Sequence, residues 1–145
     1  AQTLAHPSTP DFAQTRTSAI LNYGPEIRCV LSINHNYTKG PKFQTAQIRF
    51  DCQQGAAVVK LGLLLDYPKG EPDEVWICPS GKEQWESVEF DGGWFPEAFI
   101  GIMSNLQRFA LGEDHQLHTS AEDAFETMRL VEACYESSNS GGTEL

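Results

Sequence analysis

Long apolar runs are missing from this sequence. No stretch of about eighteen apolar residues occurs, so nothing in it reads as a membrane-spanning helix. No basic segment followed by an apolar one marks a signal peptide. Basic residues are scarce. Ten Lys and Arg stand against twenty Asp and Glu, a formal net charge of -10. A chain that acidic repels phosphate backbones and anionic lipid surfaces, which argues against nucleic acid and membranes as partners. Paired cysteine motifs are absent too. Cys29, Cys52, Cys78 and Cys134 are widely spaced and read as reduced thiols filling small gaps. These absences point to a cytoplasmic protein. Neither G-x-G-x-x-G nor G-x-x-x-x-G-K-[ST] occurs, so no nucleotide phosphate cradle is encoded.

What is present is an ordinary globular composition in 145 residues, 40% of them apolar. Turn signals divide the first two-thirds at Asn22-Tyr23-Gly24-Pro25, Thr38-Lys39-Gly40-Pro41, Gln53-Gln54-Gly55, Lys69-Gly70-Glu71-Pro72, Pro79-Ser80-Gly81-Lys82 and Asp91-Gly92-Gly93. The intervals read as strands over Thr3–His6, Thr15–Leu21, Ile27–Tyr37, Phe43–Asp51, Ala56–Leu65, Glu74–Cys78 and Trp85–Phe90. Short links favour antiparallel neighbours. In the second long strand the better core face is Ile27, Cys29, Leu31, Ile33, His35 and Tyr37. In Ala56–Leu65 both alternating sets are largely apolar, which suggests cover on both faces.

The last third changes period. Phe95, Phe99, Ile102, Leu106 and Phe109 recur at steps of three and four, one face of an α-helix. Pro96 suits its first turn and Gly112 the position after its end. A second helix opens at Thr119 or Ser120 with a capping box to Glu122 or Asp123, and its expected buried face is Ala124, Met128, Val131 and Tyr135. The expected fold is α+β: a mostly antiparallel open sheet of about six or seven strands, with two C-terminal helices on one face. Residues 1–138 would form this domain and 139–145 a flexible tail. Two helices cannot cover both faces of such a sheet, so a second copy packed on the free face is expected.

Candidate chemistry is sparse. Asn34-His35-Asn36-Tyr37 ends an apolar strand in polar groups that can hold hydroxyls, or else simply leaves the sheet for solvent. Lys60 lies in an apolar strand, where it either serves as a tuned base or reaches a carboxylate. Glu83, Glu86, Glu89 and Asp91 read as a solvated edge. His115 and His118 are three apart but fall in a loop, so no metal site is assigned.

Trp94-Phe95-Pro96-Glu97-Ala98-Phe99-Ile100-Gly101, then Ser120-Ala121-Glu122-Asp123-Ala124, then Leu130-Val131-Glu132-Ala133-Cys134-Tyr135-Glu136-Ser137 resembles the C-terminal end of the glucose–fructose oxidoreductase, inositol dehydrogenase and rhizopine-catabolism (Gfo/Idh/MocA) family. Ile33-Asn34-His35-Asn36, Gln54-Gly55-Ala56 and Asp66-Tyr67-Pro68 fit the same family's second domain. The resemblance implies an NAD(P)-dependent oxidoreductase acting on a sugar, cyclitol or related polyol. It implies a Rossmann domain first and an α+β domain second, which shapes the substrate pocket and forms a dimer contact. The family's glycine-rich loop, its Glu-Lys-Pro segment and its Asp-and-His helix have no counterpart here. The chain opens on Ala1 and reads as the second domain alone, the Rossmann domain lying upstream. No catalytic or cofactor residue carries over, and NAD or NADP would belong to the full-length parent. Asn34, His35, Asn36, Tyr37 and Trp94 are the candidate substrate contacts. Two other classes compete with this reading: a stand-alone small-ligand-binding or cyclase-like α+β domain, and a purely structural dimerisation module.

Overall fold

Asn22-Tyr23-Gly24-Pro25 reverses the chain as its residue types require. Gly24 takes a positive φ, and the Tyr23 amide donates to the Ile27 carbonyl at 3.0 Å. The hairpin so formed joins β2 (Arg16–Asn22) to β3 (Arg28–Asn34), and β1 (Gln2–Leu4) pairs antiparallel with the outer side of β2. A second antiparallel set follows, in the order β4 (Ala46–Cys52), β5 (Gly55–Leu61), β6 (Glu74–Pro79) and β7 (Glu86–Ser87). Helix α1 spans Ala98–Ala110 and α2 spans Ala121–Ser140. This is a computed structural model, which describes residues 1–5, 14–35, 39–65, 67 and 70–141. The protein is α+β, as the order of patterns indicates.

The single sheet is a correction. The strands form a three-stranded and a four-stranded sheet, β1-β2-β3 and β4-β5-β6-β7. A short 3-10 helix, Pro41–Phe43, precedes β4, and β3 and β4 belong to different sheets. Two compact units result. One is Ala1–Lys39 with Thr119–Leu145, and the other is Gly40–His118.

In the first unit α2 meets β1. Its N-cap is Ser120, whose hydroxyl accepts from the Asp123 amide at 3.2 Å, so the helix opens at one of the two expected caps. The Thr3 amide donates to Ser138 Oγ at 3.0 Å, and the Thr3 hydroxyl pairs with the Gln14 side chain. The register puts Thr3, Thr17, Ala19, Leu21, Cys29, Leu31 and Ile33 on one face. Thr3 and Ala19 are buried on it, while Ile20 and Val30 on the other face are 68% and 69% exposed. The expected buried stripe of α2 is not buried: Ala124, Met128 and Val131 are exposed and Tyr135 is half-buried. The hydroxyls of Ser137 and Ser138 fix the helix instead through its last turns, and α2 continues to Ser140 before Gly141 caps it. Asn36 and Tyr37, His6 and residues 142–145 lie outside the described residues.

In the second unit the register sorts the strands into unlike faces. Ile48, Phe50, Ala57, Val59, Leu61, Val75 and Ile77 share one, and Gln47, Arg49, Lys60, Glu74 and Trp76 share the other. Strand β5 is shorter than expected: it stops at Leu61, so Leu63, Leu64 and Leu65 lie beyond it. Within it Ala56 and Val58 sit on the Lys60 face, and every residue of the strand is half-buried. The acidic segment is a short exposed edge, β7, with Glu86 bound to Lys82 at 2.7 Å.

The stripe Phe99, Ile102, Leu106 and Phe109 of α1 is exposed rather than docked on the sheet. The cause is Asn105, which is 2% exposed. Its Nδ2 donates to Asp114 Oδ2 at 2.8 Å and to the Gln116 carbonyl at 3.0 Å, and its Oδ1 accepts from the His118 amide at 3.0 Å. Arg108 adds an ion pair to Asp114 at 3.0 Å. Gly112, at φ 76°, turns the chain back along the helix. The buried side of α1 therefore faces its own returning loop. In monomeric protein, Asn105→Ala should cost about 1–3 kcal/mol by stranding buried loop groups. Leu106→Ala should cost no more than about 0.5 kcal/mol, the surface scale. Urea unfolding at high dilution measures both, and equal losses would contradict this docking.

Candidate functional site

Three chain segments converge on one carboxylate. Gly62 ends β5, Asp73 precedes β6 and Trp94 precedes α1. Asp73 Oδ1 accepts from the Gly62 amide at 2.6 Å, and its Oδ2 accepts from the Trp94 amide. The Trp94 indole closes the loop by donating from Nε1 to the Gly62 carbonyl at 2.7 Å. Gly62 has no room for a side chain: a Cβ there would stand 1.8 Å from the Glu71 carbonyl oxygen. The Glu71 amide in turn donates to the Leu63 carbonyl at 2.9 Å. Asp73 thus sets the spacing of these three segments.

Beside this clamp lies an open cleft of about 350 Å³, whose walls include Leu64, Glu71, Phe90, Trp94, Phe95 and Glu97. On that wall Phe95 packs at 5.6 Å from Trp94, and on its far side, outside the cleft, it meets Tyr67 at 5.7 Å and Phe99 at 5.8 Å. No described lining residue is basic. Aromatic faces with carboxylate acceptors suit a small hydroxyl-bearing molecule, whose ring can lie on Trp94 or Phe95 while its hydroxyls donate to Glu71 or Glu97. The same carboxylates oppose a phosphate.

The other expected contacts lie elsewhere. Asn34 is exposed at the end of β3, and His35 is exposed in the following turn with its amide bound to the Thr15 carbonyl at 3.0 Å. Both belong to the first unit and Trp94 to the second. Lys60 is an ion-pair residue: its ammonium bonds to Glu74 Oε1 at 2.8 Å, and the Trp76 indole donates to Oε2 at 3.0 Å. The hydrogen bond to Glu74 raises the Lys60 pKa, which keeps it protonated and unfit as a base. The hydrogen bonds from Lys60 and then Trp76 lower the Glu74 pKa. His115 and His118 lie in the loop held by Asn105, and no group of three potential metal ligands occurs among the described residues. The four cysteines are unpaired thiols.

Asp73 escaped the sequence reading, although a signal was present. It stands in a Gly-Glu-Pro-Asp turn just before a strand, where an Asp side chain commonly bonds nearby amides. Glu71 lies in that same turn and Glu97 just before α1, positions where a carboxylate is ordinary, so only the fold brings them to the cleft beside Trp94. No protein-family model, no curated protein and no solved structure matches the chain.

Asp73→Asn should destabilise the second unit by about 1–3 kcal/mol, since one acceptor oxygen then faces two amides. Urea midpoints will measure it, and an unchanged midpoint would show the clamp to be incidental. Acid should weaken the unit as well. A carboxylate whose folded pKa is depressed stabilises the fold above its unfolded value, about 4, and that contribution is lost as pH falls through the folded value. Wild-type urea midpoints should stay level from pH 7 to about pH 5 and drop below that, and Glu74→Gln should make the drop shallower. Parallel pH profiles would count against the Lys60–Glu74 pair.

Proposed function

We propose that this chain is the substrate-recognition and oligomerisation part of an NAD(P)-dependent oxidoreductase acting on a sugar, cyclitol or related polyol. The observation that carries the reading is the cleft beside Trp94. It offers an aromatic wall, carboxylate acceptors and no basic group among the described lining residues, the chemistry of a neutral hydroxylated ligand rather than of a nucleotide phosphate. The sequence resemblance in the tail and helices agrees with it. In this reading the nicotinamide cofactor is bound upstream, by a glycine-rich βα turn that this chain does not encode. The chain itself holds the polyol and supplies the contact between copies.

The apolar face of β4–β6 supports the second role. Ile48 and Phe50 are exposed there beside Val59, Ala57 and Ile77. Face-to-face packing of two such sheets removes this surface from water and closes a two-fold dimer. Single buried residues also favour a second reading, a purely structural dimerisation module, because Ala19 is the one buried apolar side chain among the described residues.

Titration with myo-inositol and glucose, followed by amide NMR, separates the two. Polyol binding should shift Trp94, Glu97 and Glu71 saturably, with a Kd of about 1–10 mM for so open a site, and Trp94→Ala should abolish the shifts. Absence of any saturable shift would leave the structural reading. Calorimetry with NAD and NADP should show no binding, and micromolar affinity for either would overturn the division of labour proposed here. Phe50→Glu should shift sedimenting mass downward if the sheet face is the contact, and an unchanged mass would remove that face from the assignment.

A further inference from the structure

Helix α1 presents a surface that the proposed polyol cleft and sheet contact do not use. Phe99, Ile102, Met103, Leu106 and Phe109 project along one side of it, and all are exposed, Phe99 by 52% and Leu106 by 44%. At 3.6 residues per turn they fall within a stripe about 120° wide. Tyr67 extends the stripe through its ring contact with Phe95, which touches Phe99 in turn. The helix cannot simply roll to hide these groups. Rolling would break the three hydrogen bonds of Asn105 and leave its amide buried without partners.

Charge argues for what covers the stripe. The chain carries -10 overall, so contact between copies is opposed almost everywhere. Ala98–Ala110 is an exception: it contains no Asp or Glu, and its one charged residue, Arg108, is neutralised by Asp114. A second α1 can therefore approach without like-charge repulsion. Area gives the same answer. The six side chains expose about 500 Å² on each copy, so a pair would bury about 1,000 Å², the lower edge of specific interfaces. An antiparallel pair about a two-fold axis sets Ile102 against the partner's Leu106 and Phe99 against the partner's Phe109. It also opposes the two helix dipoles.

We propose that α1 is a self-association helix, pairing antiparallel with α1 of a second copy of this chain through Phe99, Ile102, Met103, Leu106 and Phe109. The contact is separate from the sheet face and does not depend on the polyol reading.

Sedimentation velocity of four proteins tests it: wild type, Leu106→Glu, Phe50→Glu and Ile100→Glu. Ile100 is 65% exposed but lies off the stripe, so its variant adds the same charge without entering the contact. Leu106→Glu should weaken association by roughly 100-fold, because two carboxylates are then buried unpaired. Ile100→Glu should associate as wild type does. If both contacts exist, Phe50→Glu leaves the α1 pair and only the double variant Phe50→Glu, Leu106→Glu is monomeric. If the sheet contact is wrong, Phe50→Glu changes nothing while Leu106→Glu still yields monomer. Met103→Cys places thiols near the two-fold axis and should give an interchain disulfide on mild oxidation, beyond the wild-type background from exposed Cys52. Wild-type association by Leu106→Glu, or no interchain product from Met103→Cys, overturns the proposal. The latter result would place the stripe on another part of its own chain.

Discussion

The amide of Asn105 and the carboxylate of Asp73 hold the second unit in the way that packed apolar side chains hold most domains. Asn105 satisfies groups of the loop that follows its own helix, Asp73 joins the ends of two other segments, and each fixes a direction as well as a distance. Hydrogen-bonded pins of this kind contribute about 1 kcal/mol each when intact but cost more when half broken. They position without burying much area. Among the described residues, three polar side chains are buried, Thr3, Asn105 and Ser137, against one apolar one, Ala19, at 4% exposure. The apolar surface that ordinary folding hides is left on the outside, Ile20, Val30 and Phe43 among it.

Secondary structure was legible in the sequence because it depends on local signals. Gly24, Gly112 and Ser120 stand where a reversal, a helix end and a helix start were read, and each does what its chemistry requires. The choice of face was legible only in part. Alternation placed Cys29 and Leu31 on the sheet side that includes buried Ala19. For α1 the periodicity located the apolar stripe correctly and its destination wrongly. Nothing in Phe99 or Leu106 announces that Asn105, one position away, will bond to residues that follow the helix. The signal was an amide interrupting an apolar helix, and its partners could be named only once the loop was placed.

The cleft was less legible still. Trp94 was legible as a candidate contact, but Glu71, Asp73 and Glu97 looked like turn residues. Their convergence depends on a break in β5 at Gly62, which composition does not distinguish from a glycine within a strand. Lys60 shows the reverse case. In the sequence it is a cation in an apolar run, and cross-strand register turns it into half of an ordinary ion pair with Glu74.

The first unit is assembled from both flanks of the second, with residues 1–39 and 119–145 enclosing 40–118. Thr3 receives its partner Ser138 from 135 positions further along. During synthesis at about 5–20 residues per second, β1 therefore waits roughly 7–27 s for the turns of α2 that complete it. The enclosed unit is whole well before that. On the ribosome β1, β2 and β3 should stay open to a protease pulse until α2 has emerged, while β4 to α1 resist it. Order of emergence thus makes the contiguous unit the one that forms first, and leaves the split unit, with its exposed Ile20 and Val30, as the part most in need of chaperoning.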